Sequence, residues 1–306
     1  MNKSLISAAV ISVMGLYGQV HAADTDLDIG GVVEVEITEN SIAASTVELG
    51  LSKQVNDMVS AEMSLLYEGA TTDIDVAAIT ISPKGAGWNI KTGQFYVPFG
   101  SFESNMISDP LTLGMAETRA NALQLGYEKS GFGVSAYVAS GLTSLDTNGY
   151  HVSYSYESDS VNFGLDLGMT NDLGNSSGIQ GLANVPTDQV IGQSLSTRIE
   201  GAGVSLIYET ILSDAAFTTG DLTGLQPTAT NIELAYNFKL GGKDTNIALA
   251  SQTSEQASGL LAQSRYMFAF SNEVMKGTSL GIEYMQETDY ASAITTAITA
   301  KLAVEF

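Results

Sequence analysis

The 306-residue chain contains no cysteine, which excludes thiol catalysis, disulfide staples and Cys-based metal sites. Basic residues are scarce: 12 Lys plus Arg stand against 34 Asp plus Glu, a formal net charge of −22. Nucleic acid requires a basic footprint and is not an expected partner. Histidine occurs twice. Beyond the N-terminal segment only His151 remains, beside Ser153 and Ser155. It has no second histidine with which to hold zinc. Serines and a histidine on a polar strand face do not make a catalytic triad without the right geometry. No metal, cofactor or enzymatic activity is expected. No apolar run reaches eighteen residues, so no helix is available to span a membrane.

Met1-Asn2-Lys3 is a short basic start, Leu5 to Tyr17 is apolar, and Val20-His21-Ala22 has the small-x-Ala form of a cleavage site. Residues 1–22 therefore read as a secretory signal peptide, with the mature chain from Ala23. The exported chain is acidic, rich in glycine (31) and poor in proline (5).

The remaining chain is dominated by alternation. In "AITTAITAKLAVEF", Ile294, Thr296, Ile298, Ala300, Leu302, Val304 and Phe306 share one face; Lys301 and Glu305 lie on the other. "NIELAYNFKL", "GYHVSYSYE" and "VNFGLDLGM" repeat the pattern. Successive side chains of a strand point to opposite sides. About sixteen such segments follow one another, each roughly ten residues long, the length a tilted strand needs to cross a bilayer. Even-numbered connections are short ("KSG", "ESD", "EGAG"), whereas odd-numbered ones run longer. "PFGSFESNMISDPLTLGMAETR" is the third of these, "NDLGNSSGIQGLANVPTDQV" the fifth and "SDAAFTTGDLTGLQPTA" the sixth. Strict short–long alternation fits an up-and-down barrel with tight turns on one side of a membrane and long loops on the other. Tyr67, Tyr127, Tyr156, Tyr208 and Tyr284 are expected near strand ends as an interfacial girdle. The expected fold is all-β: a transmembrane antiparallel up-and-down β-barrel of about 16 strands over 23–306. It is wide enough for a water channel and sits in the lipid bilayer of the cell outer membrane.

"GGVVEVE" (30–36), "STVELGL" (45–51), "GQFYVPFGSFESNMISDPLTL" (93–113), "NIELAYNFKLGGKDT" (231–245), "TSLGIEY" (278–284) and "LAVEF" (302–306) resemble the LbtU family of siderophore porins. The block 93–113 is the most specific of these; "GQF…PFG" alone is looser, because phosphate-selective porins carry something similar. The resemblance implies an outer-membrane barrel through which ferric siderophore passes without TonB coupling. A globular plug would need more residues than the chain has outside its strands. Some members of the family have an extra segment before the barrel; here the first strand is expected within a few residues of the cleavage site. The terminal Phe306, behind Val304 and Leu302, looks like the signal read by the barrel-assembly machinery. Association into a homotrimer is left open.

The break in alternation at 98–119 is the third external loop. In sixteen-stranded porins, that loop resembles an inward-folded constriction. Pro98 and Gly100 are expected to bend the chain out of the strand. Glu103, Asn105, Asp109, Glu117 and Arg119 are expected to line the narrowing. By parity the pore wall carries Glu34, Glu36, Glu48, Glu62, Glu128, Asp166, Glu209, Glu233 and Glu283. Lys91, Arg198, Lys239, Arg265 and Lys301 oppose them. Acids outnumber bases, so small polar cations are the preferred solutes, and a phosphate-selective pore, which needs a basic ladder, is disfavoured. The fifth loop is expected to be solvated surface. A general diffusion porin with mild cation preference is the alternative to a siderophore porin.

Overall fold

The computed structural model describes residues 27–69, 71–140 and 146–306. The signal peptide expected over 1–22 lies outside the described residues. The strands are β1 (Leu27–Ile37), β2 (Ile42–Gln54), β3 (Val59–Glu68), β4 (Thr71–Ile81), β5 (Trp88–Tyr96), β6 (Arg119–Lys129), β7 (Phe132–Ala139) and β8 (Thr147–Glu157). They continue as β9 (Val161–Thr170), β10 (Gly192–Gly201), β11 (Val204–Ser213), β12 (Thr228–Leu240), β13 (Lys243–Glu255), β14 (Ser264–Met275), β15 (Thr278–Thr288) and β16 (Ile294–Glu305). Each pairs antiparallel with its sequence neighbours, and β1 pairs with β16 to close the barrel. Closure leaves no sheet edge, the condition under which strands can cross lipid without unpaired backbone groups.

Period-two patterning assigns the faces. On β6, Leu123, Leu125 and Tyr127 are exposed while Ala122 is buried; on β12, Ile232, Leu234 and Tyr236 are exposed while Asn231, Glu233 and Ala235 are buried. The exposed residues are large and apolar and the covered ones polar or small, the reverse of a water-soluble sandwich. Three connections on the short side, 130–131, 202–203 and 241–242, are two-residue turns with positive φ at both positions. They are Ser130 (53°) with Gly131 (81°), Ala202 (52°) with Gly203 (83°), and Gly241 (60°) with Gly242 (83°). That is the hairpin geometry whose twist matches the strands, and it is why glycine stands second in each.

The seam between the ends of the chain is tight. Gly31 N–H donates to Phe306 O (3.0 Å) and Phe306 N–H to Gly31 O (3.1 Å). A Cβ on Gly31 would lie 2.9 Å from the Phe306 ring and 2.5 Å from the Glu48 carbonyl oxygen. Only glycine fits beneath the terminal aromatic.

Two expectations fail. The first two connections on the long side, 38–41 and 69–70, are as short as those opposite, so loop length sorts by parity only from the third loop onward. Tyr208 and Tyr284 lie near the middle of β11 and β15 rather than at strand ends, because each strand extends further past its tyrosine than its apolar run suggests. The β3–β4 ladder also shifts register after Ser64, leaving Asp75 unpaired in a bulge. Asp75 and Val76 are consequently buried side by side. Gln94 repairs the gap in the next ladder, donating its side-chain amide to the carbonyls of Ile74 (2.5 Å) and Asp75 (3.2 Å).

Candidate functional site

The chain leaves β5 at Pro98, turns at Gly100 (φ 83°) and Phe102 (φ 51°), and enters the barrel. It then crosses the inner wall strand by strand. Gly100 N–H donates to Ser194 on β10 (3.2 Å). Ser101 and Phe102 donate backbone N–H groups to Oε1 of Glu209 on β11 (2.8 and 3.1 Å). The Ser104 hydroxyl and Asn105 N–H take the two oxygens of Glu233 on β12, each at 2.7 Å. Ile107 N–H and the Ser108 hydroxyl do the same at Glu283 on β15, each at 2.6 Å. Leu111 N–H reaches Gln252 on β13 (3.1 Å), and Thr112 returns to Glu209 Oε2 (2.6 Å). An irregular loop has no ladder to satisfy its N–H groups; here three wall carboxylates supply the acceptors. Hydrogen bonds to charged groups are the strong ones, about 1.5–3 kcal/mol each.

Packing follows the same path. Met106 seats among inward alanines of β12–β14 (Ala235, Ala248, Ala250, Ala269) beside Met267. Phe99 lies against Gly168 and Gly192, and Ile107 against Gly281. A short helix, α1 (Leu111–Ala116), joins Leu173, Ile179, Val190, Phe217 and Leu222 of the fifth and sixth loops in one buried cluster. A second short helix, α2 (Ser177–Gln180), meets α1 where a Cβ on Gly178 would stand 1.8 Å from the Gly114 carbonyl oxygen. The fifth loop, expected to be solvated surface, is therefore packed: its apolar residues complete a core over β9–β13.

The predicted residues divide into groups. Glu209 and Glu233 (each 0% exposed) and Glu283 (2%) face inward as parity requires, but the loop covers them; they anchor the loop and do not meet lumen water. Asn105 is held by Glu233, and Glu103 forms an ion pair with Arg198, which also reaches Glu200. Lys91–Glu62 (2.8 Å), Lys301–Glu34 (2.9 Å) and His151–Asp166 (3.1 Å) pair on the uncovered wall. Glu128 and Lys239 sit at the short-turn rim, Lys239 with Asp244 (2.8 Å). Arg119 has the outward parity of Asn121, Leu123 and Tyr127 at the start of β6, yet its guanidinium meets Asp75 (2.9 Å), which also accepts from the inward Ser64 hydroxyl (3.4 Å). The Asp75 bulge, with the Tyr96 hydroxyl at 2.7 Å, supplies the partner that draws it there.

Asp109 is the loop acid turned to the remaining space, whereas Glu117 is half-buried with its Oε1 covered and unpartnered among the described residues. Asp109 is exposed, with its backbone oxygen 3.3 Å from Arg265 Nη1. Its carboxylate is within electrostatic reach of Lys301, Glu34, Arg265 and Glu36, and the protein surrounding it raises its carboxyl above the usual range. Burial, then Asp109, Asp75 and Glu68, push the Glu117 carboxyl up to about 8. Sequence reasoning missed Gln252 and the loop hydroxyls of Ser104, Ser108 and Thr112. The alanines and glycines at inward positions of β9–β15 were the available signal, since a face lined only by water has no use for small residues.

A closed antiparallel barrel of outward apolar and inward polar faces, with one loop pinned inside, defines an outer-membrane channel. Residues 14–206 match the family described as phosphate-selective porin O and P, and the chain belongs to that family. A UPF0422 protein of Coxiella burnetii (strain RSA 493 / Nine Mile phase I) is 28% identical over 284 residues, 84% of this chain and 61% of that protein. A UPF0422 protein of Legionella pneumophila (strain Lens) is 24% identical over 312 residues, covering 83% of this chain and 55% of its own. The chain thus spans little more than half the length of these relatives. Among solved structures, the outer membrane channel DcaP of Acinetobacter baumannii superimposes with a TM-score of 0.65 at 14% identity, over 93% of this chain and 99% of DcaP. OprB of Pseudomonas putida gives 0.64 at 12%, over 92% and 93%. These likenesses establish the shared fold.

Proposed function

We propose that this outer-membrane channel mediates TonB-independent passage of ferric siderophore. The observation that carries the reading is a coincidence of place. The block 93–113, on which the resemblance to the LbtU siderophore porins chiefly rests, is also the segment hydrogen-bonded across the inner wall, where it meets any solute. The inward loop serves as the constriction, with Asp109 at its open edge and Glu117 half-buried behind it. Phosphate is not the proposed cargo, because carboxylates exceed bases around that edge. The second reading, a general diffusion porin with mild cation preference, is favoured by the same excess of acids. Assembly through recognition of Phe306 and association into a homotrimer belong to the proposal.

Liposomes carrying the purified chain, offered labelled ferric siderophore, test it. Uptake above that of empty liposomes, with restored growth of an iron-limited deletion strain on re-expression, is the expected result. Passage of small sugars and cations without the ferric complex would favour the general porin.

A further inference from the structure

The outward faces of the strands are almost free of charge, and the exceptions are sorted by end. Among the described strand residues, register gives outward parity to Lys53, Lys129 and Lys243 at the short-turn end and to Arg119 and Glu255 at the loop end, and to no other charged side chain. Arg119 is turned back to Asp75 (2.9 Å), which leaves Glu255 as the outward charge of the loop end. No Lys or Arg occurs in the loop-side connections 38–41, 97–118, 171–191, 214–227, 256–263 and 289–293. The acids of the short-turn end take other directions. Glu128, Glu157, Asp244 and Glu305 have inward parity, and Asp57 and Asp159 lie in the turns, as do Lys84 and Lys276. Each outward lysine ends an apolar run: Lys53 follows Leu49 and Leu51, Lys129 follows Leu125 and Tyr127, and Lys243 precedes Ile247 and Leu249. Aromatic rings stand at the same level. Exposed Phe132 is the register partner of Lys129, and exposed Trp88 that of Tyr127. Phe238, stacked on Tyr236 (5.6 Å), is the outward neighbour of Leu240, the partner of Lys243.

A lysine at the end of an apolar stripe lays its methylenes along lipid tails and carries its ammonium out to the head groups. Tryptophan and tyrosine settle at that same depth. An ammonium held there is attracted to an anionic lipid surface. From this sorting we infer that the short-turn rim is a docking surface for anionic phospholipid head groups of the phosphatidylglycerol type. Lys53, Lys129 and Lys243 are its phosphate contacts, and the adjacent rings fix their depth. The loop end offers no such contact and presents Glu255, so the outer face of the barrel distinguishes the two leaflets. The inference concerns the lipid-facing surface and is independent of what crosses the lumen.

Trp88 is the one tryptophan of the chain and reports on the rim beside Lys129. The test is quenching of its fluorescence in vesicles carrying the full chain, by brominated phosphatidylglycerol or brominated phosphatidylcholine in a phosphatidylcholine bilayer. The anionic lipid should be preferred beside Trp88 by about fivefold, and raising salt from about 0.1 to 1 M should shrink the preference. Lys129→Gln should bring the ratio close to one. Lys239→Gln removes the same charge from the inward face of the rim and should leave the ratio unchanged. With Trp88→Phe and Tyr236→Trp the reporter moves beside Lys243, where Lys243→Gln should act as Lys129→Gln does. Equal quenching by the two lipids in the unsubstituted chain overturns the inference, and that comparison stands even if a variant does not fold. An equal loss in Lys239→Gln overturns it too, because net charge rather than the outward set would then be responsible. Inorganic phosphate, replacing chloride at equal ionic strength, should not displace the lipid; displacement would make the lysines sites for free phosphate and overturn the lipid surface.

Discussion

The backbone N–H of Ile107 lies 2.6 Å from Oε2 of Glu283, joining a loop that leaves β5 to a strand ten places further round the barrel. With the Ser108 N–H at 3.2 Å and its hydroxyl at 2.6 Å, this carboxylate is the far anchor of the inward loop. Replacing it releases three donors at once. Glu283→Ala should loosen the loop by an amount on the order of 3 kcal/mol. In planar bilayers it should give a larger, noisier single-channel conductance; an unchanged, quiet conductance would mean that the loop is held elsewhere.

Glu117 sets a pH dependence. Its carboxyl is pushed up to about 8 by burial first and by neighbouring carboxylates second, so it is neutral below that pH and charged above. Cation preference, read as reversal potential in a salt gradient, should therefore rise between about pH 7 and 9. Glu117→Gln should remove that step. The folded chain holds this proton above the ordinary carboxyl value of 4.5, so its contribution to stability falls as pH rises from there through about 8.

The absence of cysteine permits a direct map of the water path. Glu36→Cys lies on the uncovered wall, whereas Ala235→Cys lies beneath Met106. Both point inward. A charged methanethiosulfonate reagent should modify the first readily, with a change in current. It should modify the second about tenfold more slowly or less, since access requires the loop to lift. Equal rates would place open water on both sides of the loop.

The seam can be probed through Gly31. In Gly31→Val the new side chain meets the Glu48 carbonyl and the Phe306 ring, an overpacking worth about 1–3 kcal/mol. The folded band in a heat-dependent gel shift should convert at lower temperature. Deletion of Phe306 removes the paired hydrogen bonds at the same place and should act in the same direction.

Much of this architecture was legible in the residues. Sixteen strands, their order and their inward and outward sets follow from period two, because lipid outside and water inside impose opposite demands on adjacent residues. The third loop was visible as the place where that period stops. The destination of its polar groups was not. Parity shows that Glu233 faces inward but not that Ser104 and Asn105 will cover it, since that contact joins positions 128 and 129 residues apart. The partner of Arg119 was illegible for a related reason: the bulge that buries Asp75 beside Val76 does not show in alternation. The fifth loop looked solvated because its polar residues outnumber Leu173, Ile179 and Val190, the three that fill the core.

The trough of alanines beneath Met106 fixes how closely the loop lies against the wall. Met106 can lie close to the wall only because Ala235, Ala248, Ala250 and Ala269 project so little. Each methylene added there would lift the loop toward the opposite side and shrink the aperture without altering a single charge. The approach of the loop to the wall is thus governed by residues that carry no charge at all.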